Sequence, residues 1–258
     1  MSIVDLASGC ETVLPSLDAL RGDDRLCYFW AGHAAGEWLI GGGLWTRDGF
    51  STNTWSLEGP TGSWAEGPVT PTASSGGAAV SVGDAVYVIG GYAARGQLNP
   101  DLLRYKGGSW TRMAPPPAGK HLFATVLNGR IHVFSTANVL IEHEDEDDED
   151  GREARHNVYD ILQNTWSSKI LPERFNFIHT YIYQHEATSA ALTACEQDGR
   201  LVFLIVDDNY RGTHGAGGTD VAFEVYEEAT ETWQGSTWLT PLLIDDPDGI
   251  HAAWTITH

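Results

Sequence analysis

Ala78-Ala-Val-Ser-Val-Gly-Asp-Ala-Val-Tyr-Val-Ile-Gly-Gly91 holds the pattern on which the fold turns. An apolar run stops at Gly83-Asp84, and a second run, rich in β-branched and aromatic residues, ends on a pair of glycines. Short runs of this kind bounded by turn residues read as the two strands of a hairpin. The pattern returns as Leu122-Phe-Ala-Thr-Val-Leu-Asn-Gly-Arg-Ile-His-Val-Phe134 and as Ala190-Ala-Leu-Thr-Ala-Cys-Glu-Gln-Asp-Gly-Arg-Leu-Val-Phe-Leu-Ile-Val206. Asn128-Gly129 and Asp198-Gly199 suit a two-residue turn whose central positions both favour positive φ. An earlier copy ends in Glu37-Trp-Leu-Ile-Gly-Gly-Gly43.

Outward from each hairpin the chain repeats a loop, a third strand and a Trp. The third strands read Asn53-Thr-Trp-Ser-Leu57, Asp101-Leu-Leu-Arg-Tyr105, Asn157-Val-Tyr-Asp-Ile161 and Val221-Ala-Phe-Glu-Val-Tyr226. Trp64, Trp110, Trp166 and Trp233 follow them at intervals of 46, 56 and 67 residues. Four strands per unit at a period near ~50 predict the blades of a β-propeller.

These residues resemble kelch repeats, whose mark is a Gly-Gly doublet closing the second strand, a Tyr on the third and a Trp before the fourth. Gly41-Gly42, Gly90-Gly91, Tyr105, Tyr159, Tyr226 and the four Trp residues carry the resemblance over most of the chain. Phe134-Ser135 and Val206-Asp207 replace the doublet in the third and fourth units. The resemblance implies one kelch-like all-β propeller over residues 1–258. The N-terminal strands (residues 1–20, with Ser2 to Gly9 and Glu11 to Pro15) and a C-terminal strand (249–258, with His251 to Ile256) would share a composite closing blade. That makes four full blades plus one shared blade, with a six-bladed or truncated ring as the alternative.

Composition narrows the partners. Lys and Arg number 15 against 35 Asp and Glu, a formal net charge of −20. Such a surface repels phosphate backbones and anionic membranes, so neither nucleic acid nor membrane is an expected partner. No apolar run reaches the ~20 residues of a membrane span, and the first residues lack the pattern of a secretory signal, which gives a cytoplasmic expectation. Cys10, Cys27 and Cys195 form no CxxC pair and read as buried thiols in a reducing compartment.

In an antiparallel blade the connections alternate between two ends. One end receives only tight turns: Ala35-Gly36, Gly83-Asp84, Asn128-Gly129, Asp198-Gly199, Lys106-Gly107-Gly108 and Gln163-Asn164. The other receives the long connections Leu44 to Thr52, Tyr92 to Pro100, Ser135 to His156, Asp207 to Asp220 and Pro172 to Glu186. Long loops in a compact domain usually serve function, so this loop-rich end is the expected functional face.

Several groups on it suit acid–base chemistry or ligand contact. His121 and His251 begin two innermost strands, and an imidazole titrates near neutral pH. Phe175 to His185 alternates strictly, so an extended conformation puts Tyr181, Tyr183 and His185 on one side with Glu186 next, as either a ligand-stacking wall or blade core. Asp207, Asp208, Arg211 and His214 crowd a later loop, while Trp45, Arg47, Tyr92 and Arg95 add aromatic and cationic groups. The catalytic candidates are His121, His251, His185, Glu186, Asp207 and Asp208. The substrate-binding candidates are Arg211, Trp45, Arg47, Tyr92, Arg95, Tyr181, Tyr183 and His214.

No cofactor and no specific metal site are expected. The acidic insertion at residues 142–151 resembles half a calcium loop, but Asn157 stands where the closing carboxylate belongs, leaving only a weak divalent-cation site. Kelch-like relatives include a sialic-acid mutarotase and a lyase-like specifier group, so the resemblance implies isomerase, lyase or cyclase chemistry without cofactor. A protein-interaction scaffold on the same face is the alternative.

Overall fold

In the computed structural model the described residues are 2–4, 11–13, 15, 26–45, 49–59, 61–136, 154–172, 191–197, 199–207 and 220–234, and they contain strands and no helix. The chain divides into two compact units, Met1–Glu173 and Arg174–His258.

The first unit holds three four-stranded antiparallel sheets whose strands follow chain order, with short strand pairs of other sheets intervening in the first two. The first sheet is Trp30–Ala34, Glu37–Gly41, Thr54–Glu58 and Ala65–Glu66. The second is Ala78–Val82, Ala85–Ile89, Leu102–Lys106 and Ser109–Arg112. The third is Lys120–Leu127, Arg130–Thr136, Ala154–Asp160 and Thr165–Ile170. The second unit repeats the plan in one sheet, Ala191–Gln197, Arg200–Asp207, Asp220–Glu227 and Thr232–Gln234. The repeat read from sequence is therefore a structural one, and the fold class is all-β.

Period-two alternation decides which residues fill the spaces between the sheets of the first unit. Tyr87, Ile89 and Leu102 on one face of the second sheet pack with Ala124, Ile131, Val133 and Tyr159 of the third. Val86, Val88, Leu103 and Tyr105, on its opposite face, pack with Trp30, Ala34 and Leu39 of the first. The far side of the first sheet carries its own buried cluster of Ile40, Trp55, Leu57 and Trp64. The first strands of the three sheets lie side by side.

One hydrogen bond repeats at each of these junctions. The indole Nε1 of Trp64 donates to the Pro15 carbonyl at 2.8 Å, that of Trp110 to Pro68 at 2.9 Å, and that of Trp166 to Ala114 at 2.9 Å. Each accepting carbonyl precedes its Trp by 49, 42 or 52 residues, one unit back. Trp64 is buried and Trp110 and Trp166 are half-buried, and the bond ties each of them to the segment that leads into the first strand of its own unit.

The tight turns behave as their sequences predict. Asn128 and Gly129 both adopt positive φ, 48° and 72°, which matches the twist of the flanking strands. The glycine doublet has a different task. Gly42 has φ of 64°, and a Cβ there would collide with the Ser74 carbonyl oxygen. That close approach lets Gly43 N donate to Ser74 O at 2.8 Å, joining the first sheet to the segment entering the second.

Three details differ from the sequence reading. The connection from Leu44 to Thr52 is itself paired: Leu44–Trp45 joins Gly49–Phe50 and Leu26–Cys27 in a three-stranded sheet. Tyr92–Ala94 likewise pairs with Gln97–Leu98. Cys27 is exposed rather than buried, because alternation along Leu26–Cys27 turns Leu26 inward. Ser2–Val4 and Glu11–Val13 do pair antiparallel, as expected of two consecutive strands, while residues 251–256 lie outside the described residues. Among the described residues no helix is long and apolar enough to cross a membrane.

Candidate functional site

The third sheet departs from its sisters in a way the register makes visible. Tyr159 pairs with Ile131 and with Trp166, just as Tyr105 pairs with Val86 and with Trp110. Aligned on these pairs, His132 takes the place of Tyr87, Ser135 that of Gly90, His156 that of Leu102 and Asn157 that of Leu103. In the first sheet the same places hold Leu39, Gly42, Thr54 and Trp55. All four third-sheet residues are buried, at 0%, 1%, 3% and 0% exposure. Burying polar groups opposes stability unless they are paired, so a cluster absent from the sister sheets is not required by the fold.

The cluster has two sides. His132, Phe134 and His156 share one face, where His132 Nδ1 and His156 Nε2 are 2.9 Å apart. The His156 ring also stacks parallel on Phe134, with centroids 5.0 Å apart and planes at 1°. Burial holds the His156 imidazole well below its usual range, helped by His132 and Lys169, so it is neutral at physiological pH. A neutral imidazole both donates and accepts, which is what the contact between the two rings needs. Ser135 and Asn157 occupy the opposite face, where Asn157 Nδ2 donates to Ser135 Oγ at 2.7 Å.

Ser135 and His156 lie in the half of the sheet nearer the long connection that leaves Thr136 and returns at Ala154, Asn157 pairs with Val133 at mid-strand, and His132 lies one step toward the tight turns. His121 is placed near that connection too: its backbone is in register with Ser135, which pairs in turn with Arg155. A cleft of about 360 Å³ opens at the same end of the first unit, between Gly96–Pro100 and Pro115–Gly119. Its walls are the segments leading into Leu102 and into Lys120.

The other sequence candidates distribute as follows. Trp45 pairs with Leu26 and Gly49, and Tyr92 bridges Ser75 through two backbone hydrogen bonds of 2.8 and 3.0 Å. Arg95 is exposed in the turn of its hairpin. The Gly49–Phe50 and Tyr92–Ala94 strands touch, so two of the long connections do meet. Asp207 ends the second strand of the fourth sheet, in register with Asp220. Arg47, Tyr181, Tyr183, His185, Glu186, Asp208, Arg211, His214, His251 and the acidic insertion lie outside the described residues. Among the described residues no group of three or more His, Cys, Asp or Glu side chains converges to hold a metal ion.

The sequence puts Ser135 and His156 at the ends of a long connection and His132 and Asn157 in ordinary strands, so nothing in it brings the four together. The available signal was the departure itself, Phe134-Ser135 standing where Gly-Gly was due. The chain matches no known protein family and no curated protein.

Proposed function

We propose that the chain is a kelch-like β-propeller that binds a small molecule at its loop-rich end, with imidazole and carboxylate groups from several blades available for acid–base chemistry without a cofactor. The observation that carries the reading is the polar cluster of the third sheet, buried where the sister sheets are mainly apolar, with Ser135 and His156 toward the end that bears the long connections. The cleft supports it, since about 360 Å³ falls within the ~300–1,000 Å³ usual for small-ligand pockets. Side-by-side first strands and the recurring indole-to-carbonyl bond support the propeller.

In this reading His121, His251, His185, Glu186, Asp207 and Asp208 are the candidate proton-exchanging groups and Arg211 a candidate substrate contact. The test is a fragment-binding screen on the wild type and on His121→Ala and His251→Ala. Functional groups predict lost binding at nearly unchanged stability. Groups that only cap the backbone predict the reverse, about 1 kcal/mol of lost stability with binding intact. A protein-interaction scaffold predicts no fragment binding at this end in any of the three proteins.

A further inference from the structure

Resting on that reading, we propose that the loop-rich end of the seam between the second and third sheets binds a small neutral ligand through Asn157 and Ser135. The ligand class is one that offers a hydrogen-bond donor beside an acceptor, a carboxamide or a vicinal diol.

One buried amide atom of this seam lacks a partner. Asn157 is fully buried, its Nδ2 donates to Ser135 Oγ at 2.7 Å, and its Oδ1 has no hydrogen-bond partner among the described residues. Turning the amide over does not help: Ser135 serves whichever atom faces it, and the other is left bare. A bare buried amide atom costs about 1–3 kcal/mol. The same place carries Leu103 in the second sheet and Trp55 in the first, so an apolar side chain satisfies the fold there.

Ser135 supplies the complementary half. Its oxygen accepts from Asn157, which leaves the hydroxyl proton to be donated elsewhere. Together the two side chains present one acceptor and one donor next to each other. An amide N–H beside its C=O, or two adjacent hydroxyls, answers both at once. An anion answers neither the bare Oδ1 nor the net charge of −20.

The cleft is lined by neither Asn157 nor Ser135, but its two walls run on into neighbouring strands. Its Gly96–Pro100 wall runs on into Leu102, which packs in the same cluster as Val133, and Val133 is the register partner of Asn157. The Pro115–Gly119 wall runs directly into the first strand of the third sheet, where His121 is in register with Ser135. Both walls therefore continue into the strands around the pair. An ordered water is the ordinary occupant of such a place, and the experiment separates the two.

The full chain is titrated with 2-pyrrolidone as the carboxamide probe and myo-inositol as the diol probe, read by ¹⁵N chemical-shift changes, in wild type, Asn157→Leu and Ser135→Gly. Both variants install the residue the second sheet carries at that place, Leu103 or Gly90, so both are expected to fold. We expect one probe to bind the wild type, Asn157→Leu to weaken it at least about tenfold with the melting temperature unchanged or raised, and Ser135→Gly to weaken it less. Loss of binding together with a higher melting temperature marks an amide kept for a ligand. Probe binding indifferent to Asn157→Leu overturns the inference while leaving the proposed function standing, provided the shifts fall at the loop-rich end. A lower melting temperature in Asn157→Leu, with no probe bound by the wild type, assigns the amide to structure or to water and overturns the inference. If the wider fragment screen also shifts no loop-rich residue, the proposed function falls with it.

Discussion

At His156 three neighbours decide the chemistry: Phe134 stacked on the ring, His132 against its Nε2, and Lys169 across in register. Burial first, then His132 and Lys169, favour the uncharged form. The consequence for stability has a definite sign. Below the ordinary imidazole pKa of about 6.5 the unfolded chain takes up a proton that folded His156 refuses, so stability is full above that pH and falls as pH drops through it. One such group contributes a slope of up to about 1.4 kcal/mol per pH unit. His156→Leu, with the residue the second sheet uses at this place, should flatten the change in urea midpoint between pH 7 and pH 5 relative to wild type. Equal acid sensitivity in both proteins would mean that other groups control it.

Tyr159 is a second residue whose setting can be tested. Burial pushes its phenol up to about 12, so it stays protonated and donates to Asn164 Oδ1 at 2.6 Å, which also accepts from Ala114 N at 2.8 Å. Asn164 has φ of 53°, a conformation that costs most side chains but suits Asn. Asn164→Ala should lose about 1–3 kcal/mol by chemical denaturation, and Asn164→Gly should recover the part due to backbone strain alone. Equal losses in the two variants would place the whole cost on the hydrogen bonds.

Strands and their junctions were the most legible level in the sequence, and the reasons are visible in particular residues. Ala78–Val82 and Ala85–Ile89 were legible because β-branched runs stop at Gly83-Asp84, a turn that admits few alternatives. The third strand of the third sheet was read as starting at Asn157, yet it starts at Ala154, because Arg155 and His156 are polar and carry no strand signal of their own. The pairing of Leu44–Trp45 with Gly49–Phe50 was missed for a related reason: two-residue strands are too short to show a period. The Trp of each repeat was found, but its partner was not, since a carbonyl 42 to 52 residues away leaves no mark in composition. That bond predicts an element-level result. Trp64→Phe, Trp110→Phe and Trp166→Phe should each cost about 0.5–1.5 kcal/mol in urea unfolding, similar in all three because each deletes the same N–H to carbonyl bond. A cost confined to one of them would show that the recurrence is geometric and carries no stability.

For the whole molecule, the first sheet's outer face shows why the N-terminal segment matters. Ile40, Trp55, Leu57 and Trp64 are buried on that side, and Trp64 is bonded to the Pro15 carbonyl. Removing residues 1–15 deletes that acceptor and one strand pair, and under the proposed propeller reading it also opens a ring and exposes a sheet edge. The truncated chain should melt at lower temperature and associate on gel filtration; unchanged melting would remove the composite blade from the account. The end proposed to carry function is legible at this scale as an asymmetry of loop lengths, whereas the polar residues gathered in the third sheet are not. Their identity depended on cross-sheet register, which places Asn157 at Leu103's position and Ser135 at Gly90's.

The central claim, that function resides at the loop-rich end around the third sheet, is tested most directly by residue-resolved ¹⁵N NMR of the full chain during a fragment screen. The account predicts that shifts cluster at Asn99, Asp101, Gly119, His121, Ser135, His156 and Asn157. Shifts that cluster instead at the tight turns, on Gly107-Gly108, Asn128-Gly129 and Asn164, would contradict it.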